Sequence, residues 1–99
     1  MSDGTNQITG TVTATPVIVK TRNLTFPLTV TVVPGAAGTS KVEFTTSTEA
    51  EVDAATAVWQ TWPSGTVAAT TSDSLVSPVT ALRFTRVTGA NPDKYEVVG

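Results

Sequence analysis

Threonine and apolar residues alternate over two long stretches of this chain. From residue 8 to residue 15 every second residue is threonine, and from residue 26 to residue 32 every second residue is Phe, Leu or Val. A period of two places one set of side chains on the buried face of a β-strand and the other set on its exposed face. Threonine also has a branched Cβ, which restricts χ1 in helices and suits strands. The 21 threonines among 99 residues therefore predict a fold built from β-strands.

Short strand candidates recur along the whole chain. Turns rich in proline, glycine and asparagine separate them, as at residues 34–40, 63–65 and 88–93. The strand candidates span residues 8–15, 17–21, 24–33, 41–45, 57–62, 66–70, 75–77, 79–87 and 95–98. This pattern, without a strong helical segment, predicts an all-β fold: an antiparallel β-sandwich or a jelly-roll-like barrel of about 7–9 short strands.

The chain length fits a single domain. Ninety-nine residues are enough to bury a core without disulfides or metals. Residues 1–7 are mostly polar and precede the first alternating stretch. We therefore expect a flexible N-terminal segment over residues 1–7 and a single β domain over residues 8–99.

Two segments depart from simple alternation. Thr48 followed by Glu51 fits a helix capping box, whereas the acidic residues at 49, 51 and 53 alternate as on an exposed strand. We predict an irregular loop over residues 46–55 with at most a short helix. In the strand candidate 79–87, Val79 and Ala81 have one parity and Leu82 and Phe84 the other, which is typical of a β-bulge or of a corner between two sheets.

Composition argues against several classes of function. The chain has neither cysteine nor histidine, so any catalysis would depend on carboxylates, lysine or tyrosine, and it contains no Gly-x-Ser-x-Gly or phosphate-loop motif. We expect neither an enzyme nor a cofactor. Six basic and eight acidic residues are spread along the chain, which predicts no nucleic-acid partner and no membrane partner.

An acidic group could supply oxygen ligands to calcium. Its spacing matches no EF-hand loop, so a solvated acidic loop without a metal is the preferred interpretation. The group consists of Glu43, Glu49, Glu51 and Asp53.

The two tryptophans are the largest candidate contact residues. Trp59 and Trp62 are three positions apart, so a regular strand would direct them to opposite faces. We predict that Trp59 enters the core and that Trp62, beside the turn at residues 63–65, lies on the surface. There Trp62, with Tyr95, could stack on a sugar ring or anchor a protein contact. The alternative is that Trp62 only caps the end of the sandwich.

Two arginines lie in a strand that otherwise looks buried. Arg83 and Arg86 have opposite parity, so they should face different surfaces. Either guanidinium could pair with Glu43 or Glu96, or reach a neighbouring subunit, and pairing within the chain is the expected case. The candidate binding residues are therefore Trp62, Tyr95, Arg83 and Arg86.

The C-terminal half of the chain, residues 57–99, resembles small structural proteins of tailed bacteriophages. The resemblance depends on five short elements in order: a tryptophan-bearing strand, a Gly-Thr-Val strand, a polar link with aspartate, a Pro-Val-Thr-Ala-Leu-Arg segment and a last strand with tyrosine. In this chain they are Trp59–Trp62, Gly65–Val67, Asp73–Leu75, Pro78–Arg83 and Tyr95–Val98. None of these elements is catalytic.

The resemblance implies a structural protein of the virion that acts by binding and self-association. It would be a capsid decoration or cement protein, or a module associated with the tail or fibres. Its expected partners are further copies of itself, most simply in a trimer, and other virion proteins such as the major capsid protein. The N-terminus lacks a signal peptide, which predicts synthesis in the host bacterial cytoplasm. The alternatives are a carbohydrate-binding or adhesion module using Trp62, and a surface-display domain of a larger bacterial protein.

Overall fold

The computed structural model describes residues 6–99, which form a sandwich of two antiparallel four-stranded sheets. The elements are β1 (Gln7–Val12), β2 (Val17–Lys20), β3 (Leu28–Val33), β4 (Thr39–Thr45), α1 (Glu49–Asp53), β5 (Gln60–Thr61), β6 (Thr71–Leu75), β7 (Ala81–Thr88) and β8 (Asp93–Val98). The first sheet has the order β1-β8-β3-β6, and the second sheet has the order β2-β7-β4-β5. The predicted all-β sandwich is confirmed.

The core lies between the sheets and is filled by alternate residues of the strands. In β3, for example, Leu28, Val30 and Val32 are buried. The rings of Phe84 and Tyr95 stack across the two sheets, with their centroids 4.4 Å apart and their planes at 14°. Both sheets therefore share one core, in which aromatic contact adds to the apolar area that folding removes from water.

The first strand follows the alternation of the sequence. Ile8, Gly10 and Val12 face inward, and β1 pairs with β8 so that Gly10 lies opposite Tyr95. A Cβ atom at residue 10 would lie 2.6 Å from Tyr95 Cζ, closer than such atoms approach. Glycine at this position therefore leaves room for the tyrosine ring.

Several strand boundaries differ from the predictions. β3 begins at Leu28 instead of residue 24, because its neighbours end there: Leu28 pairs with Leu75, the last residue of β6, and Thr29 pairs with Val98, the last residue of β8. Residues 66–70 form no strand and make one isolated bridge, between Val67 and Ser40. Of the predicted flexible segment, residues 1–5 lie outside the described residues, and Gln7 already belongs to β1.

The segment after β4 contains the short helix that the capping-box pattern allowed. Thr48 Oγ1 accepts a hydrogen bond from the Glu51 backbone N–H at 3.2 Å, and Glu51 Oε1 accepts one from the Thr48 backbone N–H at 3.0 Å. Val52 of α1 is buried. No helix within residues 6–99 has the length and apolar character needed to cross a membrane.

The change of parity at the start of β7 arises because the second sheet is buried on both faces there. Ala81 lies on a rung of the second sheet with Lys20 and Thr45, and its side chain faces away from the core. Lys20 Nζ contacts Asp53 of α1 at 2.7 Å, and Ala81 and Thr45 are fully buried. The predicted bulge or corner at this point is wrong, because β7 keeps one register with both neighbouring strands through Ala81 and Leu82, and the outward Ala81 is itself buried. The register shift of the second sheet lies near the other end of β7, where Val87 is left without a partner opposite the step from Thr39 to Ser40.

Candidate functional site

Trp62 lies in the core, which corrects the prediction that its side chain is on the surface. The residue is 2% exposed. Its Nε1–H donates to the Gly65 carbonyl at 2.6 Å, and its backbone N–H donates to the Val42 carbonyl at 2.9 Å. Gly65 has φ of +65°, which glycine adopts without strain. The turn therefore folds back onto the indole and accepts its one N–H hydrogen bond, so the large ring is buried without an unsatisfied donor.

Trp59 is half-buried on the outer face of the second sheet, so its predicted place in the core is also wrong. The guanidinium carbon of Arg83 lies 4.5 Å from the centre of a Trp59 ring. Arg83 donates from Nε at 3.0 Å and from Nη2 at 2.9 Å to the same Oε1 of Glu43. The cation–π contact and the ion pair hold Arg83 from two sides. The expected pairing of Arg83 with Glu43 within the chain is confirmed.

The other two candidate residues are placed apart from this cluster. Tyr95 is 8% exposed because it stacks on Phe84 in the core. Arg86 is half-buried at the end of β7, and its Nη1 donates to the Asn91 carbonyl at 3.3 Å. Arg83 and Arg86 face different sides, as their parity predicted. The fold therefore does not bring the four candidates together into one site.

The sugar-stacking platform suggested by the sequence is not formed. It required an exposed ring at Trp62 with Tyr95 beside it, and both rings are used in the core. Stacking on a sugar needs a free aromatic face. The carbohydrate-binding alternative thus has no structural observation in its favour.

The four acidic residues considered as calcium ligands take separate partners. Glu43 binds Arg83, Glu49 lies 3.5 Å from Arg22, and Asp53 binds Lys20. Hydrogen bonds from the Thr48 backbone N–H and then from its hydroxyl hold the pKa of Glu51 below its usual value of 4.5. Within residues 6–99, three such side chains nowhere come close enough together to hold a metal ion.

The outer face of the first sheet is rich in hydroxyl side chains. It carries six hydroxyl side chains from three strands, and we call it the hydroxyl face. Lys94 and Glu96 of β8 stand between them, so the charges of this face balance. The hydroxyl oxygens of Thr31 and Ser72 lie 2.6 Å apart across two strands. The six residues are Thr9, Thr11, Thr29, Thr31, Ser72 and Ser74.

Sequence reasoning missed the hydroxyl face as a site, although it detected the alternation that produces it. Strands β1, β3 and β6 are far apart in the chain, and their order in the sheet decides which threonines become neighbours. The sequence pattern that could have predicted this face is the equal parity of the threonines within each of two strands, Thr9 with Thr11 and Thr29 with Thr31. Their strands are joined by β8, which carries the charges instead.

Comparison of the sequence with models of protein families gives no match, and neither the search of curated proteins nor that of solved structures gives one. The resemblance to phage structural proteins therefore stays a prediction from residues 57–99.

Proposed function

We propose that this chain is a structural protein of a bacteriophage virion that binds the capsid surface through the hydroxyl face and also self-associates. The resemblance of residues 57–99 suggests the class of protein. The hydroxyl face is the observation that carries the choice of contact surface. This function depends on contact alone, and the partner is the major capsid protein.

The chemistry of the hydroxyl face suits a protein partner. Each hydroxyl can donate and accept a hydrogen bond, so the face can match the backbone amides and carbonyls of another surface. Threonine has few rotamers to lose, which keeps the entropic cost of ordering it low. Lys94 and Glu96 are the charges that a partner would cover or pair, so little charge has to be desolvated.

The rigidity of the face supports the same proposal. Two of the three hydroxyl-bearing strands, β3 and β6, pair with each other, and β8 joins β3 to β1. The residues below the face, Val30 and Val97 among them, are fully buried. A surface that is fixed before binding loses less entropy when it docks, which favours affinity.

The proposal is tested by co-sedimentation with capsids assembled from the major capsid protein of the phage that carries the gene of this chain. Thr31→Arg places a long side chain at the centre of the hydroxyl face, beside its cross-strand neighbour Glu96, where its bulk would keep a partner surface from docking closely. We expect capsid binding to weaken at least about tenfold, which corresponds to about 1.4 kcal/mol. Thr31 is half-buried with an outward side chain, so the variant should fold.

Val58→Arg is the matched control. Val58 is 70% exposed and lies in the segment that covers the second sheet, on the other side of the sandwich. It should bind capsids as the unmodified chain does. Equal binding by Thr31→Arg and Val58→Arg would remove the hydroxyl face from the proposal, and failure of the unmodified chain to sediment with capsids would contradict the proposed function itself.

A further inference from the structure

The four edge strands of the sandwich differ in how they are protected against pairing with another chain. Short length, charge and proline all discourage such pairing. β5 has two residues; β2 has four, follows Pro16 and ends at Lys20; and β6 carries Asp73 with inward parity at its centre. β1 has six residues, QITGTV, and contains neither a charge nor a proline. Among residues 6–99, β1 is therefore the edge that lacks these protections.

The backbone groups of β1 that point away from β8, towards the open edge of the sheet, can be identified from the pairing of β1 with β8. Asn6 and Gly99 exchange two hydrogen bonds, each at 2.9 Å. In an antiparallel pair such rungs alternate with rungs that make no bond. Ile8, Gly10 and Val12 therefore bond to β8, and the N–H and C=O groups of residues 7, 9 and 11 point to the open edge. No strand of the described chain pairs with that edge.

We propose that β1 pairs antiparallel with β1 of a second copy of this chain, about a two-fold axis at Thr9. In this register Thr9 pairs with the partner's Thr9. Gln7 pairs with the partner's Thr11, and Thr11 pairs with the partner's Gln7. Because each bonded rung exchanges two hydrogen bonds, the three rungs make about six hydrogen bonds and satisfy about six backbone groups in each chain. The strand is self-complementary in this register, as a two-fold interface requires.

The side chains of β1 fit the same register on both faces. On the outer face of the joined sheet, the uncharged Thr9 lies opposite the partner's Thr9, and threonine pairs across strands are favourable. Inward, Ile8 lies beside the partner's Gly10, where the ring of the partner's Tyr95 fills the space that glycine leaves. Ile8 is half-buried in the single chain, and this contact would bury it further.

The small area of the hydroxyl face gives a reason why the open edge of β1 should bind a second copy of this chain. Four strands of about six residues cover about 20 Å by 20 Å, or about 400 Å², whereas a standard interface needs about 800 Å² per partner. Pairing through β1 makes one eight-stranded sheet with both hydroxyl faces on the same side, which doubles the area. This argument rests on the proposed function, but the edge pairing itself depends only on β1.

Sedimentation velocity of the purified chain over a wide concentration range tests the pairing, with two charge variants. Thr9→Lys and Thr9→Glu each place like charges opposite each other at the two-fold axis, so each should weaken the dimer, and Thr9→Glu should weaken it more because Glu96 of the same chain lies beside residue 9. An equimolar mixture of the two should restore a species of twice the monomer mass, because Lys and Glu then meet across the axis. Ser74→Lys, on β6 at the other edge, should dimerise normally.

Thr9→Pro provides a second test that adds no charge. The N–H of residue 9 points away from β8, so proline in both copies removes two hydrogen bonds of the dimer and none of the sheet. We expect the dimer to weaken at least about tenfold while the fold, followed by circular dichroism, is kept.

Three results would overturn the pairing: a monomer at every concentration, a trimer, or a dimer that all three Thr9 variants leave intact. Capsid binding by the unmodified chain is measured separately. A trimer that sediments with capsids would therefore contradict β1 pairing and leave the proposed function standing.

Discussion

At the scale of single residues, the two tryptophans show what parity can and cannot determine. Trp59 and Trp62 do face opposite sides, as a spacing of three predicts. Which of them faces the core depends on the register of β5 with β4, where Gln60 pairs with Phe44. Gln60 and Trp62 thus share the inward parity, and the turn that follows supplies the acceptor for the indole. Parity fixes only a relative orientation, so the prediction was inverted.

The capping box makes a pH-dependent contribution to stability through Glu51. Its carboxylate accepts from the Thr48 backbone N–H and hydroxyl, which hold its pKa below 4.5 in the folded chain. A lowered pKa means that the contribution is present above pH 4.5 and is lost as the pH falls through the folded value. An NMR titration of the side-chain carboxyl should therefore give a midpoint below 4.5.

Two substitutions at residue 48 serve as a matched pair. Thr48→Ala removes the hydroxyl and should raise the pKa of Glu51 towards 4.5, with a loss of about 1 kcal/mol of stability because the helix also loses its N-cap. Thr48→Ser keeps the hydroxyl and should leave both quantities nearly unchanged. A Glu51 midpoint that is the same in both variants would mean that the hydroxyl does not act on the carboxylate.

At the scale of elements, a buried carboxylate joins one loop and one strand to the start of β8. Asp93, the first residue of β8, accepts from the Gly35 backbone N–H at 2.7 Å and from the Ser40 hydroxyl. Gly35 lies in the β3–β4 loop and Ser40 in β4, so the side chain connects both to the start of β8. Asp93 is 2% exposed. The connection holds the two sheets together at one end of the sandwich.

Removing this carboxylate should destabilise the fold. Asp93→Ala leaves a buried N–H and a buried hydroxyl without their acceptor, and we expect a loss of about 2–4 kcal/mol in chemical denaturation. Lys94→Ala, one position further and exposed, should change stability by less than about 0.5 kcal/mol. In the Asp93→Ala background, Ser40→Ala should cost less than it does alone, because its partner is already missing. Additive losses would contradict a direct interaction.

At the scale of the whole molecule, one core is shared by the two sheets, so they should unfold together. Trp59→Phe leaves Trp62, in the core, as the single tryptophan whose fluorescence can be excited selectively. Its fluorescence and the far-ultraviolet circular dichroism should then have the same denaturant midpoint. The reverse variant, Trp62→Phe, should be less stable but also show coincident transitions, reported by Trp59 on the outer face of the second sheet. Separate midpoints in either variant would show that the sheets unfold independently.

Much of the fold could be predicted from the sequence, because alternation and turn residues act locally. The inward residues of β1 and β3, the turn at residues 34–38 and the capping box at Thr48 all depend on neighbours within a few positions. The candidate sites could be predicted less well. The pairing of Arg83 with Glu43 was among the expected contacts, since opposite charges within a sheet attract, but its contact with Trp59 needed the loop to fold over the second sheet.

Local alternation was enough to establish that this chain is a β protein and which side chains of its long strands point the same way. Tertiary structure alone decided the order of the strands, and with it the hydroxyl face, the open edge at β1 and the burial of Trp62. The physical reason is that alternation is a property of one strand, whereas a surface is made by strands that are distant in the chain. Their order depends on how the whole core packs.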